Sequence, residues 1–415
     1  MDSEKSFHWA WVILGVSFFN LFINYSIRLG YGVILPEMIQ DLGLSRTAGG
    51  SIYNAYLLCY ICVAPFTGYV TDRLGARRVI TLCVFILGCG VLLMGTTHHF
   101  WTACLFFALV GLGATGMWIP VLTVVQRWFS PRKRGLALGI ISPGYGLGFA
   151  TIGLLFPSIV LHYSWRYAWY FLGTGALILV VANALLLRSD PEKTGYRPWG
   201  DEAEPAARGP GATSTGKIPL SAVLKDPAFW FIGLSYLSVA YGLYAITTFM
   251  VDYAKTQMGM PMDKASLLAT VHGISQVVGV LTILPLSDYL GRKTTILLSN
   301  AIITACLTGI LFSRFHSDLL FVLIAILGVF YGVTFPIYGA CAGDYFPKPV
   351  MGTVIGAWTP CYGLGAILSH WVTGFFRDVT GVYDHAFAVG VIMAFASVVL
   401  VAFLKRDPVL AGSSY

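Results

Sequence analysis

Apolar runs long enough to cross a bilayer recur from one end of this chain to the other. They fall near 9–35, 48–70, 79–97, 100–126, 135–157, 167–187, 228–251, 265–286, 294–313, 317–341, 350–375 and 384–404, each close to the roughly 20 residues a helix needs to traverse hydrocarbon. Composition agrees: of 415 residues, 57% are hydrophobic and 11% charged, with a mean hydropathy of +0.74, a balance that would leave a soluble protein with far too much apolar surface. The expectation is an all-α integral membrane protein with twelve transmembrane helices. The first run starts at Trp9 and is too long and too lightly interrupted for a cleaved leader, so it is read as the first span.

Twelve spans put both termini on one side, and the basic residues say which. Of the 26 Lys and Arg, Arg46, Arg166, Lys255, Lys264, Arg314 and Arg377 fall in odd-numbered loops, Arg28 falls inside span one, and all the others lie at the termini or in even-numbered loops. The positive-inside rule then makes both termini cytoplasmic, in a plasma (inner) membrane. The net charge of +7 is therefore topological, and no nucleic-acid partner is expected. All eight cysteines sit in apolar segments, where Cys behaves as a small hydrophobe. Cys59 and Cys62 form a C-x-x-C with no second pair and no nearby histidines, so no metal site is expected. No cofactor is implied, and no Ser/His/Asp constellation or phosphate-cradling loop suggests an enzyme.

The longest polar interruption, from Arg188 to Lys225, divides the chain into an N-terminal six-helix bundle (1–188), a linker (189–227) and a C-terminal six-helix bundle (228–415). The linker's end, IPLSAVLKDPAFW, reads as a short interfacial helix with Ile218, Leu220, Val223 and Leu224 toward lipid. An internal repeat supports the division. RWFSPRKRGLALGIISPGYGLG (127–148) and DYFPKPVMGTVIGAWTPCYGLG (344–365) align without a gap at an offset of 217. Both copies join an even-numbered span to the next, so the repeat is parallel, giving two pseudo-symmetric bundles around a central path.

Arg28 is the lone full charge in FFNLFINYSIRLGYGVILP (18–36). An arginine at mid-membrane costs about 2.5–3.5 kcal/mol on insertion scales, which makes it a candidate functional residue. The competing reading is an outer-end arginine that snorkels to the headgroups.

Between spans two and three lies GYVTDRLGARR (68–78), with a counterpart LSDYLGRK (286–293) between spans eight and nine. Gly68 reads as a site of close helix approach and Gly75 as a tight turn. Asp72 can face a helix N-terminus. The duplicated Asp-x-Leu-Gly, followed by Arg77 in the first copy and Arg292 in the second, resembles the loop motif of the major facilitator superfamily, and the likeness extends along essentially the whole chain. The resemblance implies the major facilitator fold and a latch between bundles, made here by Asp72, Arg73, Gly75, Arg77 and Arg78, with a second and weaker one at Asp288, Gly291 and Arg292, where Tyr289 replaces Arg73. It also implies that one chain contains a whole pathway, functional as a monomer.

Within that superfamily, the Trp9-Ala10-Trp11 opening, the cation seventeen residues after Trp11 and the 127–148 stretch look like the monocarboxylate porters and the oxalate:formate exchangers. Those porters usually carry a span-eight arginine where this chain has Val280, with Gln276 one turn further out. Span one supplies its own cation instead.

Candidate substrate contacts follow. Asn24 and Tyr31 share Arg28's face by helical spacing, His272 reaches a similar depth on span eight, near Gln276, and Trp118, Tyr145, Tyr331, Trp358 and Tyr362 offer aromatic walls. One fixed cation suits a monoanion held bidentately, and the scarcity of Asn, Gln, Asp and Glu along the path disfavours sugars. His272, whose side-chain class titrates near neutrality, leads the proton-coupling candidates, with Asp252 and His370; Asp252 is open to pairing with Lys255 or exchanging with Arg28. The expected function is secondary transport of a small organic anion, such as lactate or pyruvate, by alternating access and with a proton. The alternatives are an oxalate- or formate-type exchanger and a membrane sensor on a transporter fold.

Overall fold

In the computed structural model of the chain, residues 8–200, 220–313, 316–346 and 350–404 are described. These are helical almost throughout; the extended pairing among them is an isolated bridge between Phe129 and Trp199. Among the described residues, eleven helices are long and apolar enough to cross a membrane: α1 (Ala10–Asp41), α2 (Arg46–Leu74), α3 (Ala76–Gly95), α4 (Phe100–Trp128), α5 (Arg134–His162), α6 (Trp165–Leu186), α7 (Pro227–Thr256), α8 (Met262–Leu290), α9 (Arg292–Phe312), α10 (Ser317–Tyr345) and α12 (Asp384–Ala402). A further helix of 30 residues, α11 (Met351–Thr380), completes the set.

The chain divides into two compact units. One comprises Met1–Leu44 and Ile52–Pro205; the other comprises Ala206–Tyr415 together with Ser45–Ser51, the start of α2. Each unit has the same internal plan. In the first, α1 packs on α5 and α6, and α3 packs on α4 and α6; in the second, α7 packs on α11 and α12, and α9 packs on α10 and α12.

The repeated sequence motifs occupy matching places. A Cβ on Gly148 would lie 2.4 Å from the Phe22 carbonyl oxygen of α1, and one on Gly365 would lie 2.1 Å from the Leu237 carbonyl oxygen of α7. The last glycine of each YGLG is thus where the fifth helix of a unit meets the first, the close approach that small residues allow in lipid. Gly75 and Gly291, the loop-motif glycines, both cap the following helix with φ near +83° and ψ of 141°, a conformation that only glycine adopts cheaply. Gly68 differs from expectation: nothing lies within 4 Å of its Cβ position, so it makes no close helix approach here.

Prolines shape the helices that carry the candidate site. Proline lacks an N–H and its ring crowds the carbonyl four residues earlier. Accordingly α4 tightens into a 3-10 turn at Thr115–Met117 before Pro120, and α5 is interrupted at Ser142 before Pro143. Pro36, by contrast, is carried inside α1, which continues to Asp41. Span one therefore extends well past 35, and Arg28 lies thirteen residues from the helix end, about 20 Å at 1.5 Å per residue.

Pairs of buried polar groups tie the helices together inside each unit. Asn20 of α1 and Asn183 of α6, both fully buried, exchange amide hydrogen bonds of 2.8 and 2.9 Å. Asn183→Leu leaves the Asn20 side-chain oxygen without its donor, although the Asn20 amide nitrogen keeps the Val16 carbonyl at 2.8 Å, and should cost about 1–3 kcal/mol, read as a lower unfolding midpoint in detergent. In the second unit Asn300 donates to the Tyr338 hydroxyl at 2.9 Å, which meets Ser235 at 2.6 Å. The short linker helix, Leu220–Lys225, packs on α7. Leu224 is exposed as expected, but Val223 is buried rather than turned to lipid, because that packing claims its face; Ile218 lies outside the described residues.

Candidate functional site

In the first unit the structure gathers aromatic rings around Arg28. Its guanidinium carbon lies 5.8 Å from the ring centre of Tyr25 and 5.9 Å from those of Tyr56 and Tyr60. The electron-rich faces of tyrosines attract a cation without neutralising its charge. Tyr25 in turn contacts Tyr145 at 5.3 Å and Trp118 at 6.4 Å, the two rings brought in by the interrupted helices α5 and α4. Arg28 is half-buried on a face enclosed by α2, α4 and α5. That surrounding, and its distance from the helix end, set it apart from an arginine snorkelling to headgroups.

The other span-one candidates part ways. Asn24 is buried one turn before Arg28, and its side-chain oxygen has no hydrogen-bond partner. Tyr31 is turned inward, packed on Phe107 at 4.8 Å, Tyr53 at 5.2 Å and Trp169 at 6.3 Å. A spacing of three residues leaves side chains about 60° apart around a helix, which here is enough to send Tyr31 into the aromatic layer beneath the arginine.

Three residues of the cluster, Tyr25, Tyr56 and Tyr60, were not among those predicted from sequence. A signal existed for two of them: Tyr53, Tyr56 and Tyr60 recur at i, i+3 and i+7 along α2, a single helical stripe. Nothing in the spacing alone says that this stripe meets α1.

The second unit holds its own set. His272 is fully buried on α8; its Nδ1 lies 2.8 Å from the Gln276 amide nitrogen, and its ring meets Tyr331 edge-on at 5.0 Å. Tyr331 contacts Tyr244 at 6.4 Å, while Tyr362 packs on Tyr236 at 4.6 Å and Phe335 at 6.3 Å. Trp118 and Tyr145 are separated from Phe335 and Tyr362 by the same 217 positions as the sequence repeat, so related positions supply aromatic walls in both units. Trp358 does not join them. Its indole N–H donates to the Phe229 carbonyl at 3.0 Å and its ring lies against Phe229 and Phe346, so it is packing.

The remaining titratable candidates are engaged elsewhere. His370 is buried, with Nε2 at 2.9 Å from the Thr248 hydroxyl and Tyr244 and Phe249 against its ring. Asp252 has zero exposure; its partners are Arg46, at 3.2 and 3.3 Å, and the Tyr383 hydroxyl at 2.5 Å, which the sequence, leaving Lys255 and Arg28 open, did not point to.

Of the loop-motif residues, Asp72 is exposed with Arg127 at 3.9 Å, and Arg73 stacks on Tyr69 at 4.5 Å. Arg77 receives the Ser189 hydroxyl oxygen at its backbone N–H, 3.0 Å away, and its side chain donates to the Ala184 carbonyl. Arg78 is exposed. Arg292 bonds both Asp288 and Ser287. Arg127 also bonds Asp190 at 2.8 Å and Lys193 pairs with Asp190 at 3.0 Å. Burial pushes the Asp190 carboxyl upward, but these two cations outweigh it and hold it below its ordinary range.

Sequence comparison matches the profile described as Major Facilitator Superfamily over residues 17–265 and 233–414. Among relatives, a hexuronate transporter of Bacillus subtilis is 24% identical over 92% of each chain. Monocarboxylate transporter 13 of Bos taurus is 24% identical over 92% of this chain and 86% of its own. A crystal structure of a bacterial homologue of the human lysosomal transporter Spinster shares the fold, with a TM-score of 0.73 at 16% identity over 97% of each chain. With a six-helix plan that recurs in both halves and a profile match that spans them, the chain belongs to the Major Facilitator Superfamily and is a secondary transporter, not an enzyme.

Proposed function

We propose that this transporter moves a small organic anion, a monocarboxylate such as lactate or pyruvate, with Arg28 holding the carboxylate. The observation that carries this reading is the Arg28 guanidinium ringed by Tyr25, Tyr56 and Tyr60. It supplies a positive charge with donor geometry suited to two carboxylate oxygens, on a spanning helix, where a charge without a role is expensive. The hexuronate and monocarboxylate transporters among its relatives are both named for carboxylates. Binding a monoanion neutralises the arginine, which lowers the barrier to the alternating-access transition and ties movement to load. The proton travels by His272, which Gln276 orients, or with the substrate. His370, bonded to Thr248, and Asp252, paired with Arg46, are the further candidates. Tyr145, Trp118, Tyr331 and Tyr362 supply the walls, and the loop motifs at Asp72 and Asp288 act as latches on the cytoplasmic side, where both termini lie.

Proteoliposome uptake tests this. Radiolabelled lactate or pyruvate should enter saturably and faster with an inward proton gradient, and Arg28→Ala should lower uptake efficiency roughly 100-fold, since it deletes two charge-assisted hydrogen bonds. Uptake unchanged in Arg28→Ala would remove the clamp. Acceleration by internal substrate with indifference to the proton gradient would point to an exchanger instead.

A further inference from the structure

Two buried polar atoms flank Arg28 with nothing in the protein to bond. The Tyr56 residue has zero exposure and its hydroxyl has no partner, while its ring carries the Arg28 guanidinium. Asn24, 5% exposed and one helical turn before Arg28, has its side-chain oxygen equally without a partner. Other buried atoms of the described residues, Tyr241 Oη and Ser266 Oγ among them, are also unmatched; what distinguishes this pair is the cation beside it, since a polar atom left unpaired next to a charge is a position a ligand can satisfy. Placing two of them beside a half-buried cation marks positions that a ligand completes.

Their chemistry differs, and the difference is informative. Arginine is a donor only, and a tyrosine hydroxyl can donate, so Arg28 and Tyr56 can both serve a carboxylate. The Asn24 oxygen is an acceptor only and repels a carboxylate oxygen; it is satisfied by a donor on the ligand. Building on the reading of Arg28 as the carboxylate clamp, we infer that this site selects hydroxy acids: Arg28 and Tyr56 take the carboxylate, and Asn24 accepts a hydrogen bond from a hydroxyl on the adjacent carbon. An ammonium in the same place would meet the Arg28 charge, which disfavours amino acids. A keto acid or a plain alkanoate offers Asn24 nothing and leaves its oxygen buried and unmatched.

The test is competition in proteoliposomes with L-lactate, pyruvate, propionate and L-alanine, in wild type, Tyr56→Phe and Asn24→Leu, each checked for an unchanged unfolding midpoint in detergent. Wild type should prefer lactate over propionate and pyruvate by about tenfold, the value of one neutral hydrogen bond. Asn24→Leu should bring the lactate-to-propionate ratio close to one. Tyr56→Phe should weaken lactate and propionate by a similar factor and leave their ratio in place. Equal affinity of wild type for lactate and propionate, or a preference for pyruvate or alanine, overturns the inference while the carboxylate clamp stands. Failure of every carboxylate to compete overturns the clamp itself.

Discussion

Arg46→Ala should destabilise the protein by about 3 kcal/mol, toward the lower end of the range for breaking a buried ion pair, and Asp252→Ala should cost less. The asymmetry follows from exposure. Asp252 has none, whereas Arg46 keeps 29% of its side chain in contact with the surroundings. An Arg46 that loses its partner can turn outward. An Asp252 that loses Arg46 is left as a buried carboxylate with only the Tyr383 hydroxyl, 2.5 Å away, to stabilise it. The pair also sits in a larger fixture: Asp378 accepts from the backbone N–H groups of Arg46 and Thr47, each at 2.8 Å, and from the Thr47 hydroxyl at 2.6 Å. A carboxylate there satisfies orphan donors at the start of α2 and complements its dipole. Thermal unfolding in detergent reads the effect. The double variant Arg46→Ala with Asp252→Asn should recover much of the loss, because it removes the stranded charge. If both single variants unfold within about 0.5 kcal/mol of wild type, the pair contributes as little as an exposed ion pair does.

How much of this was legible beforehand depends on whether a feature is local. The repeated YGLG and the repeated Asp-x-Leu-Gly predicted a duplicated unit, and the structure gives Gly148 and Gly365 the same neighbour relationship and Gly75 and Gly291 the same backbone angles. Those requirements act on the residue itself, so they leave a mark in the sequence. The Arg46–Asp252 pair leaves none. Its members lie 206 residues apart, and each reads alone as an ordinary charge near a helix end. The aromatic surround of Arg28 is intermediate: the tyrosine stripe on α2 is visible, but its partner helix is not. Tyr31 and Trp358 show the converse, since an aromatic in an apolar run carries no sign of whether its ring faces a pathway or the packing. Helix length is less legible at one place: the apolar run near 9–35 stops short of Pro36, whereas α1 carries that proline inside it and continues to Asp41.

Close helix packing makes the other large prediction. A Cβ on Gly279 of α8 would stand 1.8 Å from the Val329 carbonyl oxygen of α10. The obstacle is backbone on a long helix, so no rotamer change relieves it, and α8 and α10 must separate along a contact that organises the second unit. Alanine has the better helix propensity by about 1 kcal/mol, yet overpacking that forces backbone shifts costs about 3 kcal/mol or more; the clash wins. Gly279→Ala should therefore fall sharply in folded yield and unfolding temperature, and Gly365→Ala, with its Cβ 2.1 Å from the Leu237 oxygen, should behave alike. Gly15 provides the contrast within the same fold. It lies in α1 with nothing within 4 Å of its Cβ position, so Gly15→Ala meets propensity without a clash and should leave the unfolding temperature equal or raised. Equal behaviour of Gly15→Ala and Gly279→Ala would mean that α8 and α10 are not held at the separation seen here, and that glycine in these spans serves flexibility rather than contact.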